Sequence, residues 1–189
     1  MRDSNRTVRW GILGTARIAE KISVAIHQAE NAELTCVASR DSAKAAAWAN
    51  KHRVKRSVGS YEALLHDPEI DAVYIPLPPS LHGEWTVRAA KAGKHVLCEK
   101  PLALNVNQAR EMRRVCLEHE VQLMDGVMWY HHPRAKKILD LIRSDSLGEH
   151  RRLTSAFTFC WDTIPENDLR LQRNLGGGSL GDLGWYCIG

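Results

Sequence analysis

Short apolar runs alternate with segments of helical periodicity along most of the chain, and this alternation limits its fold more than any other feature. Six runs have the length and composition of β-strands, at residues 7–13, 34–38, 54–58, 71–76, 95–98 and 121–127. Between them, helical spacing or alanine-rich composition predicts helices through 18–26, 42–51, 81–92 and 105–119. Strands and helices that alternate at this pace form a doubly wound parallel sheet, so we expect an α/β fold.

The pattern changes after Gly126. An amphipathic helix is predicted at 133–143, a polar loop at 161–173, and a short helix after Gly176, Gly177 and Gly178. Between them, a strand is predicted at 152–159, with Leu153, Ser155, Phe157 and Phe159 on one face. A single strand does not make a stable sheet. We therefore assign 1–127 to a complete α/β domain and 128–189 to the incomplete start of a second, α+β domain, and expect a truncated protein or one that depends on other pieces.

Composition argues against several classes of protein. The 26 Lys and Arg and the 22 Asp and Glu are spread along the 189 residues, so no basic block suggests nucleic acid. The polar N-terminus lacks an apolar signal core, and no run is long enough to span a membrane. We expect a cytoplasmic protein without a membrane partner.

Cysteine usage fits a reducing compartment. The five cysteines are odd in number, widely spaced and each in an apolar stretch, which favours buried thiols over disulfides or a zinc site. They are Cys36, Cys98, Cys116, Cys160 and Cys187.

A candidate phosphate-binding turn follows the first predicted strand, in the order Gly14, Thr15, Ala16, Arg17, Ile18, Ala19. Dinucleotide folds use G-x-G-x-x-G here, because the turn must bring backbone N–H groups and a helix N-terminus against the pyrophosphate. Gly14 occupies the position that most needs a positive φ, and alanines replace the other two glycines. A plain strand-to-helix turn is the alternative. The position between strand and helix favours nucleotide binding by the residues from Gly14 to Ile18.

The end of the second predicted strand favours NADP over NAD. An NAD enzyme usually offers Asp or Glu to the ribose hydroxyls, but this chain has Ser39 and Arg40. Ser39 can donate to a 2′-phosphate, and Arg40 can pair with it bidentately. Asp41 argues for NAD, although it can instead cap the helix that begins at Ser42.

Lys100 follows the fifth predicted strand directly, between Glu99 and Pro101. Ligands of open α/β sheets bind outside the carboxyl ends of the strands, so Lys100 is a candidate for contacting substrate. The alternative is a solvated loop lysine without chemistry.

Several segments together resemble the Gfo/Idh/MocA oxidoreductase family. Their order and spacing match over nearly the whole chain, and within the family 124–129 and 181–186 look most like the branch similar to dihydrodiol dehydrogenase, D-xylose dehydrogenase and glucose–fructose oxidoreductase. The other matching segments are 14–19, 37–40, 75–82, 99–101 and 176–182. The resemblance implies a Rossmann NAD(P)-binding domain at 1–127.

The resemblance also assigns catalytic roles. It places Lys100 on the substrate carbonyl or hydroxyl and implies a cis peptide bond before Pro101, which only a few per cent of X–Pro bonds adopt. Asp182 and Tyr186 match the family's acidic and aromatic pair, and four residues on a helix put both on one face. A nearby lysine cation favours the phenolate, so Tyr186 is a candidate general acid/base, with Asp182 orienting substrate or lysine. The alternative is a core tyrosine with its hydroxyl at the surface.

Further cofactor contacts follow from the resemblance. It places His82 near the nicotinamide, Leu77 and Pro78 beside the ring through their backbones, and Glu99 and Lys100 at the cofactor. An ordinary histidine at a helix N-terminus is the alternative for His82.

One segment departs from the family pattern. Tyr130 stands where many members have arginine, so a substrate contact there is in doubt. No metal is expected at His131 and His132, because adjacent side chains point apart and no third ligand is suggested.

These expectations combine into an NADP-dependent oxidoreductase. It would transfer a hydride between the nicotinamide and a secondary alcohol or ketone of a sugar or cyclic diol. A homodimer is expected for a full-length form of the protein and is doubtful for this chain. The alternative is a truncated, catalytically impaired nucleotide-binding fragment or interaction subunit. A Rossmann module without redox activity is disfavoured, because it gives Lys100, Asp182 and Tyr186 no joint purpose.

Overall fold

The centre of the molecule is a six-stranded sheet in which every pairing is parallel. The structure, a computed structural model, describes residues 6–188, so the segment 1–5 and Gly189 lie outside it, and of Asp145 only the backbone is described. The strands are β1 (Val8–Leu13), β2 (Ala32–Ala38), β3 (Arg56–Val58), β4 (Ala72–Ile75), β5 (His95–Cys98) and β6 (Leu123–Asp125). Their order across the sheet is β3-β2-β1-β4-β5-β6, which confirms the doubly wound parallel fold.

Helices cover both faces of the sheet. They are α1 (Arg17–Gln28), α2 (Ser42–His52), α3 (Tyr61–Leu65), α4 (Pro79–Lys91) and α5 (Val106–Glu118), and two more helices, α6 (Pro133–Arg143) and α7 (Trp185–Ile188), come after the last strand. Side-chain oxygens of Asp41, Ser60 and Asn105 cap α2, α3 and α5 by accepting backbone N–H groups of the first turn. The short helix α3 escaped the sequence-based prediction, and its Leu64 packs against Gly11 of β1, where a Cβ would stand only 2.6 Å from Leu64 Cδ2.

The core consists of two apolar layers, one on each face of the sheet. Alternate residues of a strand face opposite sides, so Ile12 of β1 packs toward α1 and α2 while Leu13 packs toward the other helices. Buried Trp48 belongs to the first layer, and buried Trp85 and Met112 belong to the second. Strands buried on both faces explain why the apolar runs were so clear in the sequence.

The second half of the chain differs from its prediction at one element. Residues 152–159 form no strand, because no other segment of the described chain pairs with their backbone. The helix predicted at 133–143 is present as α6. That residues 128–189 begin a second domain stays a prediction.

The five cysteines are all free thiols, but they are not all buried. Cys36, Cys98 and Cys116 lie in the core, where burial raises the pKa of the Cys36 thiol to about 11 and that of Cys98 to about 12. Cys187 is half-buried. The prediction of a buried thiol is wrong for Cys160, which is exposed because no layer of structure covers the segment from 151 to 160.

The sheet changes winding direction between β1 and β4. The chain proceeds outward from β1 through β2 to β3, and from β4 through β5 to β6 on the other side. Loops therefore leave the carboxyl ends of β1 and β4 in opposite directions and open a crevice between them, which is where ligands of such folds bind.

At the opposite edge of the sheet, one carboxylate joins the two central strands. Asp71, just before β4, accepts hydrogen bonds from the backbone N–H and Nε of Arg9 in β1, both at 2.9 Å, and from Nη2 of Arg6 at 2.8 Å. The hydrogen bonds from Arg9 outweigh partial burial and hold the pKa of Asp71 well below its ordinary value. The group is therefore charged in the folded state even in mild acid.

We predict that Asp71→Asn lowers the free energy of unfolding by about 1–2 kcal/mol at pH 7, because charged hydrogen bonds of Arg9 and Arg6 are weakened. A carboxylate whose pKa is depressed by folding stabilises above its unfolded pKa of about 3.9 and loses this effect as the pH falls. The difference between the two proteins should therefore shrink below about pH 4. Urea unfolding at pH 7 and pH 3 measures it, with Asp140→Asn, in an exposed pair with Lys136, as the neutral control.

Candidate active site

A cleft of about 460 Å³ opens at the carboxyl edge of the sheet, where the winding direction changes. Four strands contribute the residues that follow them, and the segment 169–186 closes the far side. The lining includes Ala16, Arg17 and Ile18 after β1, Pro76, Leu77 and Pro79 after β4, Glu99, Lys100 and Pro101 after β5, Met128 after β6, and Arg170, Asp182 and Tyr186.

The turn after β1 has the geometry predicted for a phosphate-binding loop. Gly14 has φ of +106°, and a Cβ there would stand 3.0 Å from Leu77 Cδ2, so only glycine suits the position. Helix α1 begins with Ala16 as its N-cap, which offers no side-chain oxygen to the first N–H groups. The Ala19 N–H donates to the Ala16 carbonyl at 2.9 Å, so the N–H groups of Arg17 and Ile18 and the positive end of the helix dipole are available to an anion. Thr15 is half-buried within the turn.

The residues after β2 differ in burial and in the hydrogen-bond partners of their side chains. Ser39 is buried, and its Oγ accepts the backbone N–H of Asp41 at 3.3 Å. Asp41 Oδ1 accepts the backbone N–H of Lys44 at 3.0 Å, which confirms that Asp41 caps α2. Arg40 is exposed and lies beside Tyr61, whose pKa is raised by burial and partly lowered again by the Arg40 cation. Arg40 is thus an exposed cation near the turn at Gly14, since the Tyr61 hydroxyl also lies beside that turn.

Lys100, Asp182 and Tyr186 come together in the cleft. Lys100 Nζ donates to Asp182 Oδ1 and to the Asp182 backbone carbonyl, both at 2.7 Å, and lies 5.5 Å from the centre of the Tyr186 ring. The peptide bond before Pro101 is cis, as predicted. The side chains of Lys100 and Asp182 are only 16% and 18% exposed, so the pair is largely shielded from solvent. Their catalytic roles stay predictions.

Asp182 is shared with a residue that the sequence-based prediction missed. Arg170 Nε donates to Asp182 Oδ2 at 2.6 Å. Partial burial would raise the pKa of Asp182, but hydrogen bonds from Lys100 and Arg170 outweigh it and lower that pKa. Asp182 is therefore an anion at neutral pH. The sequence placed Arg170 in a polar loop, and no motif or spacing distinguishes it from other surface arginines.

Tyr186 follows a helical turn at Leu180–Gly184 and lies in the first turn of α7. Its ring stacks on Phe157, with ring centres 4.9 Å apart, and its hydroxyl makes no hydrogen bond to another described residue. The hydroxyl is thus available to a ligand.

The three consecutive glycines let the segment 169–186 pack closely on itself and on the sheet domain. Gly176 has φ of +83°, and a Cβ there would stand 2.8 Å from Pro79 Cβ at the start of α4. A Cβ on Gly177 would stand 2.8 Å from the Arg170 carbonyl oxygen, and the Gly177 N–H donates to the Gln172 carbonyl at 3.0 Å. Gly177 therefore lets the backbone of Arg170 approach more closely than a residue with a Cβ would allow.

His82 lies in the first turn of α4 and is completely buried. Its Nδ1 is 2.8 Å from the Pro101 carbonyl oxygen and its Nε2 is 2.7 Å from that of Leu77, so the ring links the loops after β4 and β5. Burial lowers its pKa, although both carbonyls favour a protonated ring. His82 does not line the cleft, and a direct cofactor contact stays a prediction.

Glu99 is buried beside the cleft. Its Oε1 accepts the Tyr74 hydroxyl at 2.6 Å, and its Oε2 accepts the backbone N–H of Lys100 at 3.1 Å. Burial, and then the neighbouring carboxylate, raise the pKa of Tyr74, which keeps its proton and remains the donor. Glu99 thereby orients the backbone of Lys100. Leu77 lines the cleft, and Pro78 is the half-buried N-cap of α4.

The histidine pair after β6 has a local role. His132 Nδ1 accepts the backbone N–H of Arg134 at 3.1 Å at the start of α6, and Tyr130 stacks on Trp129. Within residues 6–188, no group of three or more His, Cys, Asp or Glu side chains could hold a metal ion. No helix in the same part of the chain is long and apolar enough to cross a membrane.

Known proteins resemble this chain over nearly all of it. The family described as "Oxidoreductase family, NAD-binding Rossmann fold" (GFO_IDH_MocA) matches residues 8–127. The chain is 41% identical over 181 residues to D-xylose 1-dehydrogenase (NADP(+)) 2 of Haloferax volcanii, a match that covers 95% of this chain and 54% of the relative. It is 35% identical over 183 residues to trans-1,2-dihydrobenzene-1,2-diol dehydrogenase of Danio rerio, covering 96% and 54%.

A solved structure agrees with these sequence matches. The crystal structure of KijD10, a 3-ketoreductase from Actinomadura kijaniata in complex with NADP and TDP-benzene, superposes with a TM-score of 0.89 at 37% identity, covering 96% of this chain and 55% of that one. The chain thus spans about half the length of these relatives.

We predict that Gly177→Ala loosens the segment around Arg170, because the new Cβ would press on backbone carbonyls that cannot move aside. Overpacking of this kind costs about 1–3 kcal/mol, and about 1.4 kcal/mol is a factor of ten in an opening equilibrium. Trypsin cleavage at Arg170 and Arg173 should therefore accelerate about tenfold or more.

Gly181→Ala is the matched control, since a Cβ there meets its nearest atoms at an ordinary 3.7 Å. Equal cleavage rates in the two variants would show that the contact at Gly177 does not hold the segment.

Proposed function

Because this chain belongs to the Gfo/Idh/MocA oxidoreductase family, we propose that it transfers a hydride between NADP(H) and a secondary alcohol or ketone of a sugar or cyclic diol. One observation carries the proposal. Lys100 Nζ is held 2.7 Å from Asp182 and 5.5 Å from the Tyr186 ring, in a cleft that the Gly14 turn also borders. A cation, a carboxylate and a phenol are thus grouped at the ligand-binding edge of the sheet.

The residues present fit a dinucleotide. Gly14 gives the tight turn its positive φ, and the first turn of α1 offers uncapped N–H groups to a pyrophosphate. Arg40 would pair with the 2′-phosphate of the adenosine ribose, and the Ser39 hydroxyl, whose oxygen accepts the Asp41 N–H, would donate its O–H to it, because Asp41 is already engaged as a helix cap. The bound nicotinamide would accept or supply the hydride.

The proposed proton transfer belongs to Tyr186. Its oxygen, which has no partner among the described residues, would as a phenolate take the proton of the substrate alcohol during oxidation and, as the resulting phenol, return that proton to the ketone oxygen during reduction. Lys100 uses two of its three N–H groups on Asp182, so the third can donate to the substrate oxygen and stabilise the charge that develops there. Asp182 keeps the ammonium group in place.

Relatives support the choice of cofactor and substrate class. D-xylose 1-dehydrogenase (NADP(+)) 2 and the KijD10 complex carry NADP in their names, and both names describe dehydrogenation or keto reduction. A cytoplasmic location and a homodimeric full-length form belong to the same proposal.

We predict that the chain binds NADPH more tightly than NADH and that Arg40→Ala removes this preference. A charge-assisted hydrogen bond is worth about 1.5–3 kcal/mol, so NADPH affinity should fall about tenfold to a hundredfold while NADH affinity stays the same. Nucleotide fluorescence titration measures both, with Arg110→Ala on the exposed surface of α5 as the control. An equal loss for both nucleotides would contradict the 2′-phosphate contact, and no binding of either nucleotide would exclude the enzymatic function for this chain.

We predict that Lys100→Met reduces turnover by at least about a hundredfold, because it removes the donor to the substrate oxygen. NADPH affinity should remain within about twofold. Steady-state rates with secondary alcohols and ketones of sugars measure the effect, with Lys91→Met on the exposed face of α4 as the control. Full turnover by Lys100→Met would exclude the lysine role, whereas a wild-type chain that binds NADPH but converts none of these compounds would overturn the enzymatic proposal for this chain.

A further inference from the structure

Asp182 lies between two cations, and only one of them belongs to the proposed chemistry. Lys100 Nζ is 2.7 Å from Oδ1, whereas Arg170 Nε is 2.6 Å from Oδ2. Each carboxylate oxygen therefore has its own charged donor, which fixes the plane and the position of the carboxylate more firmly than one donor could.

Arg170 is held in this position by contacts on several sides. Its guanidinium carbon lies 4.8 Å from the centre of the Trp161 ring, and its backbone N–H donates to Asp168 Oδ1 at 2.9 Å. The same Asp168 carboxylate lies 3.4 Å from Arg170 Nη1. On its other side, the Arg170 backbone packs against Gly177, which has no Cβ to push it away. These contacts place the cation before any ligand arrives.

The second cation changes the charge that surrounds Asp182. Lys100, Asp182, Arg170 and Asp168 together are neutral, as Lys100 and Asp182 alone would be, but Arg170 is in contact with Asp182 and offsets part of its negative charge there. Because Arg170 offsets part of the Asp182 charge, Asp182 cancels less of the electric field of the Lys100 ammonium group than it would without Arg170. More of the ammonium charge is then available to a substrate oxygen on which negative charge develops.

We propose that Arg170 is a positioning residue that holds Asp182 in place between two cations and so keeps the third N–H and the charge of Lys100 available to the substrate. The inference rests on the proposed function for its catalytic consequence, but the positioning itself is a property of the ligand-free chain. Gly177 contributes to this arrangement, since it admits the Arg170 backbone at a distance that a Cβ would prevent.

The first test measures the Asp182 carboxyl group without cofactor or substrate. Carbon-13 NMR of aspartate-labelled chain, with Asp182 assigned by Asp182→Asn, follows its titration in wild type, Arg170→Gln and Arg170→Lys. Two hydrogen-bonding cations lower the pKa of Asp182, so loss of Arg170 should move the titration midpoint upward, and lysine should restore part of the effect. The other titratable groups in this neighbourhood are Lys100, Asp168 and Tyr186, which all three proteins share.

Arg114→Gln is the matched control, because it removes an arginine paired with Glu111 on the exposed surface of α5. It should leave the Asp182 midpoint unchanged. An unchanged midpoint in Arg170→Gln as well would overturn the proposal, whether or not the chain has turnover.

The second test uses turnover, where the wild-type chain has it. Arg170→Gln should lower kcat about tenfold and leave KM for NADPH within about twofold, since the nucleotide contacts are elsewhere, and Arg170→Lys should recover part of kcat. A rise in KM for NADPH with unchanged kcat would contradict a positioning role. Absence of turnover in the wild type contradicts the proposed function instead, and the carboxyl titration then decides the role of Arg170.

Discussion

The parallel pairing of β1 with β4 is the constraint on which the rest of the structure depends. Ile12 and Tyr74 lie side by side in this pairing, and the chain continues from the two strands in opposite directions. Backbone hydrogen bonds hold the strands together, so the loops that follow them must diverge and leave a crevice. The Gly14 turn and the loop containing Leu77 form its two walls, and Lys100 joins them because β5 pairs with β4.

Buried polar groups tie these loops to one another. His82 links the carbonyls of Leu77 and Pro101, and Glu99 links the Tyr74 hydroxyl to the backbone N–H of Lys100. Such groups are costly to bury without partners, so each contact restricts the loops to positions in which the partners meet. Lys100 therefore lies on a loop whose position is fixed by the buried contacts of His82 and Glu99.

The sequence was sufficient for features that depend on neighbouring residues. Gly14 was recognisable because a tight turn after a strand needs a positive φ, and Asp41 because a helix start needs a cap. Because the strands are buried on both faces, they appear as apolar runs, and the order of strands and helices could be predicted from these runs. The family match confirms the resemblance seen in the motifs. Features without a local signal were missed or predicted wrongly. Helix α3 was missed because it has only five residues. The strand at 152–159 and the burial of Cys160 were wrong, because among the described residues no segment pairs with 152–159 and none covers Cys160.

The sequence by itself determined the parallel α/β fold and the tight turn at Gly14, because periodicity and turn chemistry act over a few residues. The family resemblance singled out Lys100, Asp182 and Tyr186 as candidates. Only the tertiary structure decided which groups meet. Arg170 reaches Asp182 because the segment 169–186 packs closely on itself, and His82 is enclosed because two loops from different strands converge on it. Contacts between groups far apart in the chain depend on how elements pack, and no local pattern records that packing.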